Sequence, residues 1–227
     1  MRLRCLSVNL KELEDYQRRL ARRVVLEDNV KIEDLRFVAG VDQAFLGDKV
    51  ISACVLLSFP SLEVVKRDVK IEDVEFPYIP TFLMFREGKP AVNVVKSVLR
   101  DVEKVILLVD GSGIAHPRRC GLATYLAIET GIPSVGITKR RLYGRVEEPR
   151  DVMESKPIYD NSEIIGYALK TCKNCKPIYV SPGSYITPET SLEVVKSCLR
   201  GHRLPEPIRL AHTLANKSKN RRLSDFF

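Results

Sequence analysis

The sequence lacks the long apolar segments that membrane proteins and secreted precursors carry. No continuous apolar run reaches the roughly 18 residues that a membrane-spanning helix needs. The N-terminus also has no apolar core of the kind found in signal peptides. We therefore expect an intracellular protein, located in the cytoplasm, with no membrane contact.

Paired zinc-binding motifs are also missing. Cys172 and Cys175 have half of the spacing of a zinc ribbon, but the sequence contains no second pair of this spacing. His202 and His212 are not spaced like the histidines of a zinc finger. The cysteines are scattered, several of them inside apolar runs, which is typical of reduced thiols in a cytosolic protein. The six are Cys5, Cys54, Cys120, Cys172, Cys175 and Cys198.

Internal repeats and low-complexity linkers are absent as well, which predicts a single domain over residues 1–227. A chain of this length can bury a substantial core, and 44% of its residues are hydrophobic. Lysine and arginine number 37 against 29 for aspartate and glutamate, which gives a net charge of +8. This excess favours a polyanionic partner such as nucleic acid.

Hydrophobic periodicity predicts a mixed α/β fold. The predicted strands cover residues 36–41, 50–59, 64–72, 105–109, 133–138, 164–169 and 177–180. The predicted helices cover residues 9–25, 81–100 (interrupted or kinked near Gly88 and Pro90), 119–129, 188–199 and 206–217. Asn9 is placed to cap the first helix together with Glu12, and residues 217–227 read as a basic, frayed tail. An antiparallel meander followed by parallel strands and helices is the layout of a ribonuclease-H-like mixed sheet flanked by helices.

Three acidic residues fall where this layout would bring them together. Asp42 is expected at the end of the first strand and Asp110 at the end of the strand 105–109, and open α/β sheets bind ligands at such strand ends. A helix packed across the sheet would add Glu87. Three hard oxygen ligands suit Mg²⁺ or Mn²⁺ rather than zinc, and such clusters serve phosphodiester hydrolysis. The alternatives are that Asp110 caps an ordinary turn and that Glu87 pairs with Arg86 at the surface.

Seven segments, in order along residues 36–215, resemble the motifs of the endonuclease V family. They are residues 38–42 (VAGVD), 76–80 (FPYIP), 85–87 (FRE), 110–118 (DGSGIAHPR), 136–144 (GITKRRLYG), 180–183 (VSPG) and 204–212 (LPEPIRLAH). The resemblance implies a ribonuclease-H-like, Mg²⁺-dependent endonuclease that nicks strands containing hypoxanthine, as deoxyinosine in DNA or inosine in RNA. It also implies cleavage at the second phosphodiester bond 3′ to the lesion, leaving 3′-hydroxyl and 5′-phosphate ends. We expect the enzyme to act as a monomer.

The same resemblance implies the catalytic residues. Asp42, Glu87 and Asp110 would hold Mg²⁺, for which Mn²⁺ could substitute, and His212 would assist catalysis. By its place at the edge of a helix stripe alone, His212 is more typical of a structural histidine. The match of the segment RLAH to the family motif reverses that preference, and a histidine that titrates near neutrality suits proton transfer.

Lesion recognition is assigned by the resemblance to a second group of residues. Tyr78 would be the wedge that fills the gap left by an extruded base, and an aromatic residue in a loop stiffened by two prolines suits that role. Leu83, Gly111 and Gly113 would line the hypoxanthine pocket. His116 and Lys139 would contact the phosphate or position the water, and the basic context of Lys139 suits phosphate neutralisation.

Two departures from the family pattern leave the range of substrates open. Ser184 stands where the family usually has His, and Thr81 stands where it usually has Gly, so that Thr81 adds a side chain near the pocket and restricts its backbone. Two other functions remain: a binding module that does not cleave, and a ribonuclease-H-like nuclease of another specificity. The retained carboxylates argue against the first function, and the loop around Tyr78 argues against the second.

Overall fold

The computed structural model describes residues 9–224, with side-chain surroundings as far as residue 221. Five α-helices and eight strands follow one another along this part of the chain, with one short 3-10 helix (Ile32–Asp34) between α1 and β1. In order they are α1 (Leu10–Ala21), β1 (Phe37–Leu46), β2 (Lys49–Ser58), β3 (Val64–Asp73), α2 (Leu83–Leu99), β4 (Val105–Asp110), α3 (Leu122–Thr130), β5 (Ser134–Thr138), β6 (Ser155–Asp160), β7 (Glu163–Leu169), β8 (Ile178–Ser184), α4 (Pro188–Ser197) and α5 (Glu206–Ser224).

All eight strands form one sheet in the order β3-β2-β1-β4-β5-β8-β7-β6. The strands β1, β2 and β3 form an antiparallel meander. The pairs β1–β4 and β4–β5 are parallel, and the remaining pairs are antiparallel. This arrangement confirms the predicted ribonuclease-H-like mixed sheet, including the parallel crossover from β4 through α3 to β5.

The central strand β4 is buried on both faces of the sheet. Leu107 and Val109 point into a core shared with α1, α2 and α3, whereas Ile106 and Leu108 point into a second core shared with α4 and α5. A continuous apolar run is what a strand covered on both faces requires. The sheet is therefore a layer between two groups of helices. The C-terminal end of β4 lies between these two groups.

Several element boundaries differ from the prediction. The helix α1 ends at Ala21, and the Asn9 side chain does not cap it but donates to the Glu12 carboxylate. The helix α2 runs without interruption through Pro90, because α2 is anchored on the sheet by a buried apolar face. The helix α5 continues to Ser224, so the predicted frayed tail is wrong as far as that residue; residues 225–227 lie outside the described range.

The cysteines also divide differently from the prediction. Cys54, Cys120 and Cys198 are buried free thiols, as expected. Cys172 and Cys175 form a disulfide in the turn between β7 and β8, which brings their Cα atoms to 5.5 Å. The expectation of reduced thiols is therefore wrong for this pair, and Cys5 lies outside the described residues. Within residues 9–224, none of the helices combines the length and the apolar character needed to span a membrane.

Candidate active site

Asp42 and Asp110 come together because of the parallel pairing of β1 and β4. The last paired residues of these strands are Val41 and Val109, so the next residue of each strand lies at the same edge of the pair. Asp42 was predicted at the end of the first strand. It does not lie there, because β1 continues to Leu46 in its pairing with β2. The point where β1 diverges from β4 nevertheless serves as a strand end for the parallel part of the sheet.

His212 reaches the same point from α5. This helix packs directly on β1 at Gly40, where an added Cβ would lie 2.0 Å from the carbonyl oxygen of Pro207. The Nδ1 atom of His212 lies 2.6 Å from Oδ2 of Asp42, and its Nε2 atom lies 3.2 Å from the amide nitrogen of Asn216. These contacts fit the tautomer in which Nδ1–H donates to Asp42 and Nε2 accepts from Asn216.

Glu87 approaches from the first turns of α2 and is only 9% exposed. Burial, followed by the negative charges of Asp42 and Asp110, raises the pKa of Glu87 to about 8. Its backbone carbonyl accepts a hydrogen bond of 2.8 Å from the side chain of Gln43, which ties α2 to β1. The alternative of a surface pairing of Glu87 with Arg86 is wrong, since Glu87 is buried. Its carboxyl group is within electrostatic range of Asp42 and Asp110 but is not part of the group of ligand atoms that Asp42, Asp110 and His212 form within 4.8 Å.

The electrostatics of this cluster call for a cation. Burial and the charge of Asp110 raise the pKa of Asp42 to about 6, against the opposing hydrogen bonds from Gln43 and His212. One ligand atom each of Asp42, Asp110 and His212 lies within 4.8 Å of the others. Lys139 supplies a positive charge at one side, with its Nζ atom 2.6 Å from Oδ2 of Asp110. Closely spaced carboxylate oxygens fit a hard divalent cation, whose charge would favour the ionised form of Asp42.

A cleft of about 480 Å³ lies beside the acidic cluster. Six of the residues predicted from the sequence line it: Tyr78, Leu83, Asp110, Gly111, His116 and Lys139. The Tyr78 side chain stands at its rim and is 68% exposed, as a wedge requires. Arg140 and Arg141 add positive charge to the lining, which suits a path for a phosphate backbone.

Two predicted contacts are corrected by the structure. The ring of His116 is buried, its Nε2 lies 2.9 Å from the carbonyl oxygen of Thr81, and its Nδ1 accepts from the backbone of Arg118. Both ring nitrogens are therefore engaged, and His116 offers none to a phosphate. Gly113 does not line the cleft, because its N–H donates to Ser181 and an added Cβ would lie 2.0 Å from the carbonyl oxygen of Pro182.

The two departures from the family pattern lie in different places. Ser184 is buried at the end of β8, where its hydroxyl accepts a hydrogen bond from the backbone N–H of Val25. This contact does not involve the acidic cluster. Thr81 lines the cleft beside Tyr78 and has a backbone φ of 68°, in the left-handed region. Of the two substitutions, only Thr81 bears on the substrate cleft.

Gln17 is a cleft residue that the sequence prediction missed. It is a fully buried polar residue on α1 and lines the cleft. Its position was visible in the helix pattern, because residue 17 falls on the apolar face between Leu13 and Leu20. A polar side chain on such a face needs buried hydrogen-bond partners, and that requirement is the signal that could have identified it.

Comparison with known proteins agrees with this geometry. The sequence pattern of the Endonuclease V family matches residues 18–213. Endonuclease V from Archaeoglobus fulgidus is 56% identical over 214 residues, which cover 94% of this chain and 95% of that protein. The solved Endonuclease V from Bacillus subtilis has a TM-score of 0.88 at 26% identity, covering 96% of this chain and 95% of the other. A Ciona intestinalis Endonuclease V, solved with a 24mer DNA containing an inosine followed by a ribo-adenosine, has a TM-score of 0.81 at 25% identity, covering 93% and 98%.

Proposed function

Because this chain belongs to the endonuclease V family, we propose that it cleaves nucleic-acid strands at hypoxanthine. The observation that carries the proposal is the convergence of Asp42, Asp110 and His212 within 4.8 Å, next to a cleft with an exposed aromatic residue at its rim. The solved relative bound to inosine-containing DNA supports this choice of substrate. Deoxyinosine in DNA is the proposed principal substrate, and inosine in RNA is a second one.

Mg²⁺ is the proposed cofactor, with Mn²⁺ as a substitute. Asp42, Glu87 and Asp110 would hold it, since all three offer hard oxygen atoms and two of them have pKa values raised in its absence. A bound divalent cation would help to activate the attacking water and to neutralise charge on the leaving oxygen. The donor set, made of oxygens with one imidazole nearby, fits such an ion better than it fits zinc.

The remaining site residues would handle protons and phosphate. His212, oriented by its hydrogen bond to Asp42, presents an imidazole that is about half exposed and able to exchange a proton with the reacting groups. Lys139 and the neighbouring arginines line the cleft and would attract the phosphate backbone. Cleavage at the second phosphodiester bond 3′ to the lesion, with 3′-hydroxyl and 5′-phosphate products, is part of the proposal.

Tyr78 is proposed as the wedge that stacks in the space left by the extruded base. Leu83 and Gly111, which line the cleft behind it, would contact the hypoxanthine ring. Stacking of a base on an aromatic side chain contributes about 1–3 kcal/mol. Tyr78→Phe keeps the ring and would retain cleavage, whereas Tyr78→Ala would lose most of it without unfolding the protein, because the side chain is exposed.

The test uses end-labelled strands that carry one hypoxanthine, as DNA and as RNA, with Mg²⁺, Mn²⁺ or EDTA. We expect a metal-dependent nick at the second bond 3′ to the lesion, absent in Asp110→Ala. Cleavage without preference for hypoxanthine would instead indicate a general ribonuclease-H-like nuclease. Tight binding without cleavage would indicate a binding module.

A monomer acting in the cytoplasm completes the proposal. Light scattering in the presence and absence of a hypoxanthine strand would test this state. A dimer whose disruption abolishes cleavage would contradict it.

A further inference from the structure

The carbonyl oxygen of Thr81 is the meeting point of three side-chain donors. The amide of Gln17 lies 3.0 Å from it, Nε2 of His116 lies 2.9 Å from it, and the guanidinium of Arg118 lies 2.9 Å from it. A backbone carbonyl has only two lone pairs, so three converging donors are an unusual concentration. The donors come from α1 and from the loop after β4, two segments far from Thr81 in sequence.

Thr81 also has a backbone conformation that its side chain does not favour. Its φ of 68° lies in the left-handed region, which is unfavourable for residues other than glycine. Arg118 offsets this cost, because it donates to the Thr81 hydroxyl at 2.6 Å as well as to the carbonyl. The threonine at this position thus provides a second attachment point that a glycine would lack.

Arg118 is itself held from several sides. Its guanidinium donates to the Gln17 side chain at 2.5 Å and to Glu14 at 3.2 Å, and it lies over the ring of Phe82 at 4.3 Å. Burial disfavours the charged form of Arg118, and the carboxylate of Glu14 compensates in part. A buried, multiply bonded guanidinium of this kind fixes the geometry of the groups around it.

Gln17 completes the network from α1. Its amide nitrogen donates to Thr81 and, at 3.2 Å, to the carbonyl oxygen of Cys120, while its oxygen accepts from Arg118. One side chain therefore joins α1, the segment before α2 and the loop after β4. Thr81 lies between the loop that carries Tyr78 and the first residue of α2, Leu83, and all three residues line the cleft.

We propose that Gln17 and Arg118 are positioning residues for base extrusion, which hold the Thr81 carbonyl so that Tyr78 and Leu83 keep a fixed separation. This inference rests on the proposed function and extends it to residues that touch neither the metal site nor the wedge. If the segment that carries Tyr78 were mobile, part of the free energy gained by stacking would be lost in ordering that segment. Holding Thr81 in place therefore favours extrusion of the base. Misplacement of a recognition group by about 1 Å can cost on the order of 100-fold in rate.

The test compares Gln17→Leu and Arg118→Met with Arg119→Met as the matched control. Arg119 is the next residue of the same loop and pairs with Asp160 and Glu163, without contact to Thr81. Extrusion is measured without metal as the fluorescence of 2-aminopurine next to hypoxanthine, and kcat and KM are measured separately with Mg²⁺. We expect the first two variants to lose most of the extrusion signal and on the order of 10- to 100-fold in kcat/KM, with Arg119→Met close to the parent protein.

A second pair of variants keeps the test decisive if Gln17→Leu does not fold. Arg118→Lys keeps the positive charge but loses the forked guanidinium that reaches the Thr81 carbonyl and Gln17 together, so we expect a reduced extrusion signal. Thr81→Gly keeps the carbonyl and relieves the left-handed strain, so it should fold and retain most of the signal.

The outcomes separate this inference from the proposed function. If the parent protein extrudes and cleaves but the Gln17 and Arg118 variants behave like Arg119→Met, the network is purely structural and the inference is overturned. If the parent protein neither extrudes the base nor cleaves hypoxanthine strands, the proposed function fails and the inference fails with it.

Discussion

At the scale of single residues, ionisation of the buried Glu87 carboxyl lowers the stability of the metal-free protein. Its pKa of about 8, raised mainly by burial, means that the folded state holds a proton that the unfolded state releases above pH 4.5. The stability associated with this proton is present at low pH and is lost as the pH rises from 4.5 through 8. The metal-free protein therefore becomes less stable over that range.

Glu87→Gln should remove this loss of stability at rising pH, because glutamine does not ionise. In EDTA at pH 8.5 we expect the variant to be more stable than the parent protein by on the order of a few kcal/mol. With Mg²⁺ we expect the variant to lose cleavage. Urea unfolding at pH 8.5 and at pH 5 measures the effect, since the difference should shrink at the lower pH. An equal difference at both pH values would show that the effect does not come from the titration of Glu87.

For His116 we predict the opposite dependence of stability on pH. Burial lowers its pKa to about 4, so the folded protein keeps the ring neutral between pH 6.5 and 4 while the unfolded chain takes up a proton. The stability due to neutral His116 is fully present above pH 6.5 and is lost as the pH falls towards 4. Between pH 7 and 4.5, the parent protein should lose on the order of 2–3 kcal/mol more than His116→Gln.

Urea unfolding of both proteins at the two pH values tests this prediction, and the comparison cancels the carboxyl groups that they share. NMR titration of the ring gives an independent reading. A His116 resonance that titrates near pH 6.5 would contradict the buried, neutral ring.

The sequence was informative about those site residues whose place follows from strand order. Asp42 and Asp110 could be brought together because parallel strands present their carboxyl ends at one edge. The inward turn of His116 and the packing of Gly113 against β8 depend on how a loop folds back over the sheet. No local pattern records that, so both were assigned to the wrong contacts.

At the scale of elements, the contact between α5 and β1 decides whether His212 meets Asp42. Gly40→Ala would place a methyl group 2.0 Å from the carbonyl oxygen of Pro207, so α5 must move outward. We expect a loss of about 1–3 kcal/mol in unfolding free energy, together with a clear fall in cleavage rate, because the hydrogen bond of His212 to Asp42 is disturbed.

Gly47→Ala is the matched control for this substitution. Gly47 lies in the turn after β1 with a φ of 58°, and an added Cβ there meets no atom within 4 Å. The control should lose about 1 kcal/mol through backbone strain alone and keep its cleavage rate. Equal losses of activity in the two variants would contradict a specific role for the α5–β1 contact.

Element prediction failed where tertiary contacts override local signals. The strand β6 was missed because Pro157 and a mixed polar pattern do not resemble a strand, yet β6 is an edge strand, where proline is tolerated. The helix α2 was expected to be interrupted or kinked near Pro90, but it continues as one helix, because its buried face against the sheet outweighs the missing hydrogen bond. The continuous apolar run of residues 105–109 was placed correctly, because such a run is what a strand buried on both faces requires.

At the scale of the whole molecule, one sheet extends from β3 to β6 without a gap. Both helical layers contact its central strand β4. We therefore propose that residues 1–227 form one cooperative domain. Calorimetry of the metal-free protein should give a single transition with equal van't Hoff and calorimetric enthalpies, and two resolved transitions would instead show that part of the sheet folds separately.

The hydrogen bond between Asp42 and His212 joins residues 170 positions apart. A ribosome synthesises Asp42 well before it synthesises His212. A nascent or truncated chain that stops before residue 212 carries the three carboxylates but lacks the imidazole that hydrogen-bonds to Asp42. The complete group of site residues therefore forms only after synthesis has passed residue 212.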